Sequence, residues 1–502
     1  MHRRLVALAA LVTLLAGLLA PSPAATQEAP AADGDIRPMV FVHGFMGSGQ
    51  QFETQALRFA SNGYPDELIH VFEHDSLAWP DSRDQVWARL DTLVDDLRAA
   101  SGHDQVVLLG HSQGTGVVQG YLNSDPARAA GVAAYVNLDG ATADALPGGV
   151  RTLAVWGEGS ADRQVAGATN VQFADQGHTE VVNSVDTFVA IHEFLLGEPP
   201  QHAEVVREGG GSVSIAGRAI RFPENLGAAG ANLTVYELDA TTGARVGAPV
   251  ASVALPDSGE FGPLTVRSDR FHEFAITRAG EPTTHHVHLQ PFVRSSRWVR
   301  ILTSEPDGLA NTFWESSSHA QNLVVMRNEE WWGDQGAGSD RLAINGREVL
   351  TPASSPRQNR TIGIFVHDAG VDRRTDLDAD VPPTGLPFLI GVDLVIPAGD
   401  PPPGTTSVRA VPRNGDGGGE TFCVPAHSSL AHRTSVQFNN FHATLNPDGS
   451  PAPGHPDPTC AAAAPPVEPP GPPTTVPPST RPGSPPPAPP APPRSGTPGY
   501  TG

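Results

Sequence analysis

Ser112 lies between two glycines in Gly110-His111-Ser112-Gln113-Gly114, directly after the apolar run Val106-Val107-Leu108-Leu109. In a G-x-S-x-G turn from strand to helix, the serine hydroxyl projects from a bend too tight for side chains at the glycine positions. The helix that follows adds free N–H groups and partial positive charge beside the reacting centre. The chemistry this suits is acyl transfer by an activated serine. It also needs a base, a carboxylate to orient that base, and donors for an oxyanion. The same five residues also occur in ordinary strand-to-helix turns, where glycine serves only close packing. The rest of the chain must therefore supply the partners.

They occur in the order serine, aspartate, histidine. Asp162 follows the strand-like "TLAVWG" (152–157), and His178 follows the short strand in "NVQFADQGHTEVV". Loops at the carboxyl ends of parallel strands converge on one rim of a sheet, so Ser112, Asp162 and His178 are expected to meet there. His178 is expected to be the base and Asp162 to hold its tautomer. Asp139, in "NLDG", also ends a strand. Asp162 is preferred because its strand adjoins the histidine-bearing segment. The expected oxyanion donors are the backbone N–H groups of Gln113, after the serine, and Phe45, in "VHGFMGSG" (42–49). Gly44 would let that backbone approach a substrate. Met46, with Phe45, is expected to line an acyl pocket, although apolar residues there also serve simple packing. His111 is read as a packing residue and His43 as an anchor of the oxyanion loop.

The elements that position these groups alternate between strand and helix over residues 36–199. Apolar strands are expected at 39–45, 68–72, 106–110, 132–139 and 152–157. Helices are expected over 50–64, 83–102 and 180–197; in the second, Val86, Leu90, Leu93, Val94 and Leu97 share one face. This pattern implies a parallel sheet covered by helices. No insertion is long enough for a helical cap, so the site should be open unless another domain covers it.

After residue 203 the texture changes to short alternating runs separated by glycine and proline turns, which implies all-β structure, as one large sandwich or two smaller ones. A seam near 297–305 divides it into a β-sandwich domain at 203–301 and a second β region at 302–460. Within it, "HHVH" sets His286 and His288 on one strand face, a spacing that could bind a metal. With no third ligand nearby in sequence, they are read as a solvated face. Trp331 and Trp332, in "EEWWGD", are read as partly buried against the sandwich. Residues 461–502 are proline-rich and are expected to be a disordered tail.

The first residues carry Arg3 and Arg4, an apolar run from Leu5 to Ala20, then small residues up to Ala24. That is the pattern of a cleaved secretory leader over 1–24, so the mature chain is expected to be secreted. Lysine plus arginine number 32 against 54 acidic residues, a formal charge of -22. Phosphate-rich nucleic acid and anionic membrane surfaces would repel such a chain. The two cysteines, Cys423 and Cys460, suit one disulfide in an oxidising compartment.

"VHGF", "GHSQG", "SAD" and "NVQFADQGH", in this order and spacing, resemble the small bacterial α/β-hydrolase lipases over about residues 36–197. One departure is Gln113-Gly114-Thr115, where those lipases often carry Met-Gly-Gly. "LTVYELDATTGARVG", "GEFGPLTV", "FHEFAI" and "HVHLQPFVRSSRWVRI" are similar to the C-terminal β domain of two-domain archaeal-type lipases. The resemblance implies an α/β-hydrolase sheet with helices on both faces, followed by β-sandwich-like domains. It also implies ester hydrolysis without a cofactor, with the β domain aiding binding of long-chain, water-insoluble esters. The expected partner is a neutral ester or lipid, without nucleic acid and without stable membrane insertion. A polyester depolymerase, an amidase on the same triad and a surface-binding protein that has lost catalysis are the alternatives.

Overall fold

Six short strands pair side by side, all parallel, in the order β2-β1-β3-β4-β5-β6. They are β1 (Met39–Val42), β2 (Ile69–Phe72), β3 (Val106–His111), β4 (Val132–Leu138), β5 (Thr152–Trp156) and β6 (Thr169–Gln172). This arrangement is that of a computed structural model, which describes residues 36–305, 308–415 and 417–461. The leader expected over 1–24 and, but for residue 461, the tail expected over 461–502 lie outside the described residues.

Every residue of β1, β3 and β5 is buried. Helices cover both faces of the sheet, which is why these strands read as continuous apolar runs. On one face Phe41, Leu109 and Val136 pack with Phe59 of α1 (Glu53–Ser61) and with Phe188 and Ile191 of α6 (Val185–Leu196). On the other, Val40, Leu108 and Tyr135 meet Leu90 and Val94 of α2 (Arg83–Ser101), and Val117 and Val118 of α3 (Gln113–Ser124). Truncating a buried phenylalanine such as Phe59 to alanine typically costs about 3–5 kcal/mol. Two short helices, α4 (Pro126–Ala130) and α5 (Glu180–Asn183), complete this part. The helix expected over 50–64 is shorter, because its first turn, Gly49–Phe52, is wound as a 3-10 turn.

The β region is built on one mixed eight-stranded sheet. Strand Thr284–Leu289 pairs in parallel with His432–Gln437, which in turn pairs with Leu323–Met326. The sheet therefore runs unbroken across the expected 301/302 seam. Two smaller sheets pack on it and enclose two cores. One gathers Ile215, Leu233, Phe274 and Ile301; the other gathers Leu323, Val366, Val408 and Phe422. The Cys423–Cys460 disulfide is present. No helix among the described residues is long and apolar enough to cross a membrane.

The β region also completes the core of the α/β part. Trp298 packs edge-on against Phe41 of β1 at 5.5 Å, and Arg300 pairs with buried Glu73 at 2.8 Å. A charge taken from water must be paired when buried, so this ion pair fixes how the two parts meet.

Candidate active site

The turn after β3 is one that only glycine permits at its flanks. Ser112 takes φ 52° and ψ −120°, a strained region for a residue with a side chain. A Cβ on Gly110 would lie 2.8 Å from the Gly114 carbonyl oxygen, and one on Gly114 only 2.2 Å from that of Val42. A Cβ on Gly44 would lie 2.8 Å from Ser112 Cβ. Close approach of β1, β3 and α3 thus places Ser112 at the positive end of α3.

Register puts Leu138 of β4 opposite His111 of β3. Ser112 and Asp139, each one residue further on, therefore leave the sheet at neighbouring points on its rim. His178, 6% exposed in the loop between β6 and α5, donates from Nδ1 to Asp139 Oδ2 at 2.5 Å. Asp139 Oδ1 accepts from the Gly157 N–H at 2.9 Å and from Arg163 Nη1 at 2.8 Å. Burial works to raise the Asp139 pKa, but the bond from His178 and the nearby positive charge hold it down at about 2.

The structure corrects the expected placement of Asp162 beside His178. Asp162 is exposed and accepts from the hydroxyl of Ser160, two residues away. The loop after β5 turns out to solvent, and what β5 offers the site is the Gly157 N–H. Adjacency in sequence to the histidine segment favoured Asp162, whereas register beside Ser112 favours Asp139.

Phe45 lies in a turn closed by Gly47 N–H donating to the Gly44 carbonyl at 3.1 Å. Met46 is buried, with φ 52°, and its N–H donates to Ser76 Oγ at 2.9 Å. Gln113 opens α3 directly after Ser112, where helical N–H groups lack an intrahelical acceptor. His43 Nδ1 donates to the Gly44 carbonyl at 2.9 Å and so anchors this loop. His111 Nδ1 accepts from Gln51 Nε2 at 2.6 Å, leaving Nε2–H to donate to the His178 carbonyl at 2.9 Å. Burial and the neighbouring His178 push the His111 pKa down to about 3, so it is a neutral support for the histidine loop.

Ser112, His178, Phe45 and Met46 line one cavity of about 40 Å³. Its opposite wall comes from the β region, through Phe222, Leu302, Met326, Phe388 and Leu389. The site is therefore covered, and by a domain rather than a helical cap. The Phe388 ring stacks on the His178 imidazole with centroids 6.2 Å apart. A second cavity of about 370 Å³ shares Phe222, Leu302, Met326 and Leu389 with the first.

The β region also grips the loop that carries Phe45 and the loop that carries His178. Asn225 Nδ2 donates to the Gly47 carbonyl at 2.7 Å, and the Glu330 carboxylate accepts from the N–H groups of Thr179 and Glu180. Neither residue was singled out from the sequence; the one available signal was a carboxylate beside a tryptophan pair. Trp331 is fully buried and Trp332 nearly so, with Arg327 over the first at 4.0 Å and Arg413 over the second at 3.7 Å. His286 and His288 are likewise buried, at 5% and 2% exposure, which corrects the reading of a solvated face. Their strand is an inner one, flanked by 271–278 and 432–437.

Among protein families, the model for the lipase C-terminal domain matches residues 211–306, and a second C-terminal-domain model matches 309–442. Their boundary falls close to the expected seam, although the sheet continues through it. A search of curated proteins finds no match. Among solved structures, the lin2722 gene product of Listeria innocua is similar at 14% identity, covering 34% of this chain and 97% of its own, with TM-score 0.27. A predicted CIB-like hydrolase from Thermoplasma acidophilum is similar at 18% identity, covering 32% and 86%, with TM-score 0.23. Phospholipase PlaB from Legionella pneumophila is similar at 11% identity, covering 48% and 85%, with TM-score 0.25.

Proposed function

For an α/β-hydrolase chain that carries a lipase-type C-terminal β domain, we propose that the protein is a secreted serine hydrolase of lipid acyl esters. Ser112 is the nucleophile, His178 the base and Asp139 the group that orients it. The observation that carries this reading is the buried His178–Asp139 hydrogen bond beside a serine held in a strained turn. Asp139 keeps the imidazole proton on Nδ1 and leaves the Nε2 lone pair for the Ser112 hydroxyl.

Ser112 Oγ adds to the ester carbonyl carbon as its proton passes to His178 Nε2. The carbonyl electron pair moves onto oxygen, where the N–H groups of Phe45 and Gln113 receive it. Collapse breaks the carbon–oxygen bond to the alcohol, which leaves with the proton from His178, and the acyl group stays on Ser112. Water, deprotonated by His178, repeats the sequence and frees the acid.

The apolar chamber of about 370 Å³ beside the site supports an acyl chain over a small acyl group. The leader-like first residues and the Cys423–Cys460 disulfide support secretion. A fluorophosphonate probe tests the reading: mass spectrometry should find it on Ser112 in the wild type and nowhere on Ser112→Ala. An intact, folded wild type that never takes the probe contradicts it.

A further inference from the structure

On the face of the β region, His427, His432 and Asp400 bring three ligand atoms within 4.8 Å of one another. His432 Nε2 lies 3.2 Å from Asp400 Oδ1, and His427 Nδ1 lies 3.5 Å from the same oxygen. Ligands at about 2.0–2.1 Å from a tetrahedral metal are separated by about 3.3 Å, so both spacings match edges of such a site. Backbone pairing holds the three segments together: the Gly399 N–H donates to the Ala426 carbonyl at 3.1 Å, setting Asp400 beside His427.

A buried relay of hydrogen-bonding groups stands behind His432. Arg245 grips Glu273 with two hydrogen bonds, at 2.6 and 2.8 Å, and so keeps its carboxylate ionised. That carboxylate accepts from His286 Nδ1–H at 2.6 Å. His286 Nε2 in turn lies within hydrogen-bonding distance of His432 Nδ1, at 2.9 Å. His432 Nε2, on the outer side of the ring, faces Asp400 Oδ1 across 3.2 Å. A carboxylate that hydrogen-bonds a histidine chain ending on a metal ligand is the usual outer support of such sites.

We propose that Asp400, His427 and His432 bind one Zn²⁺, or a similar first-row divalent cation, with the Glu273–His286 pair orienting His432. Two imidazoles and a carboxylate suit that class of metal and leave the fourth position to water. The ion ties the segment carrying Asp400 to the turn at 426–431 and to strand His432–Gln437, far in sequence from Ser112. Its role is to fix these segments together.

The test is equilibrium dialysis of the untagged, chelator-treated full chain against Zn²⁺, with bound metal counted per chain and melting followed in parallel. The wild type should bind one equivalent and melt at a higher temperature with Zn²⁺. His427→Gln and Asp400→Asn should lose both effects while keeping ester hydrolysis as a check on folding. Glu273→Gln should weaken binding by about 10–100-fold without abolishing it. Two results overturn the proposal: a wild type that binds no Zn²⁺, in which case a proton on His432 joins it to Asp400, or binding that is unchanged in His427→Gln and Asp400→Asn.

Discussion

The Glu330 carboxylate accepts a hydrogen bond from the backbone N–H of Thr179 at 2.5 Å, and a second from Glu180 at 3.0 Å. A side chain of the β region thus holds the two residues that follow His178. Gly177 is glycine for the same reason, since a Cβ there would lie 2.5 Å from Glu330 Oε2. Hydrogen bonds to a buried charge are each worth about 1.5–3 kcal/mol, enough to decide where the histidine loop rests.

Glu330→Ala should therefore lower kcat at least about tenfold, or about 1.4 kcal/mol in the barrier, with a much smaller change in KM. Glu330→Gln, which keeps one acceptor, should recover part of the loss. Gly177→Ala should damage the wild type strongly and the Glu330→Ala protein little further, because both act through one contact. Stopped-flow hydrolysis of a p-nitrophenyl ester by the wild type, Glu330→Ala, Gly177→Ala and the double variant reads this coupling; additive effects would show that Glu330 does not act through the loop.

Met326 walls both the small cavity around Ser112 and the larger apolar chamber. Replacing it with tryptophan should fill space at this shared wall at a stability cost of about 1–3 kcal/mol. The expected result across p-nitrophenyl esters is hydrolysis of acetate and butyrate near the wild-type rate, with a steep loss for long acyl groups. A uniform loss at every length would mean that the chamber holds no acyl chain.

His442 lies between two carboxylates, 3.3 Å from Glu329 and 3.2 Å from Glu420. Burial works to lower its pKa, but the two carboxylates win and raise it from 6.5 to about 9. The folded state therefore holds this proton more tightly than the unfolded chain. Its contribution, on the order of 3 kcal/mol, is complete below pH 6.5 and is lost as pH rises through about 9. Urea unfolding at pH 6 and pH 9.5 should show that drop in the wild type, and His442→Gln should flatten it. An equal alkaline slope in both proteins would place the titration elsewhere.

Local constraints were legible in the sequence, and long-range ones were not. Gly110, Gly114 and Gly44 marked the tight turn because close backbone approach requires glycine there, and the chain writes that requirement within a few residues. The alternating apolar pattern marked the β region for a similar reason. The choice between Asp139 and Asp162 depended on which strand lies beside β3, and on a loop that turns to solvent. Both strands end in an aspartate-bearing loop, so composition could not separate them. The pairing of 284–289 with 432–437, and the reach of Glu330 and Asn225 to the loops holding Thr179 and Gly47, join segments more than a hundred residues apart. No local pattern encodes such contacts.

The most direct measurement compares kcat/KM for p-nitrophenyl butyrate in Asp139→Asn and Asp162→Asn. Loss of the carboxylate that orients the imidazole should cost about 10³–10⁴-fold at Asp139, while the exposed Asp162 should stay within a factor of about two, as surface changes usually do. A protein that keeps its rate as Asp139→Asn and loses it as Asp162→Asn would contradict the account.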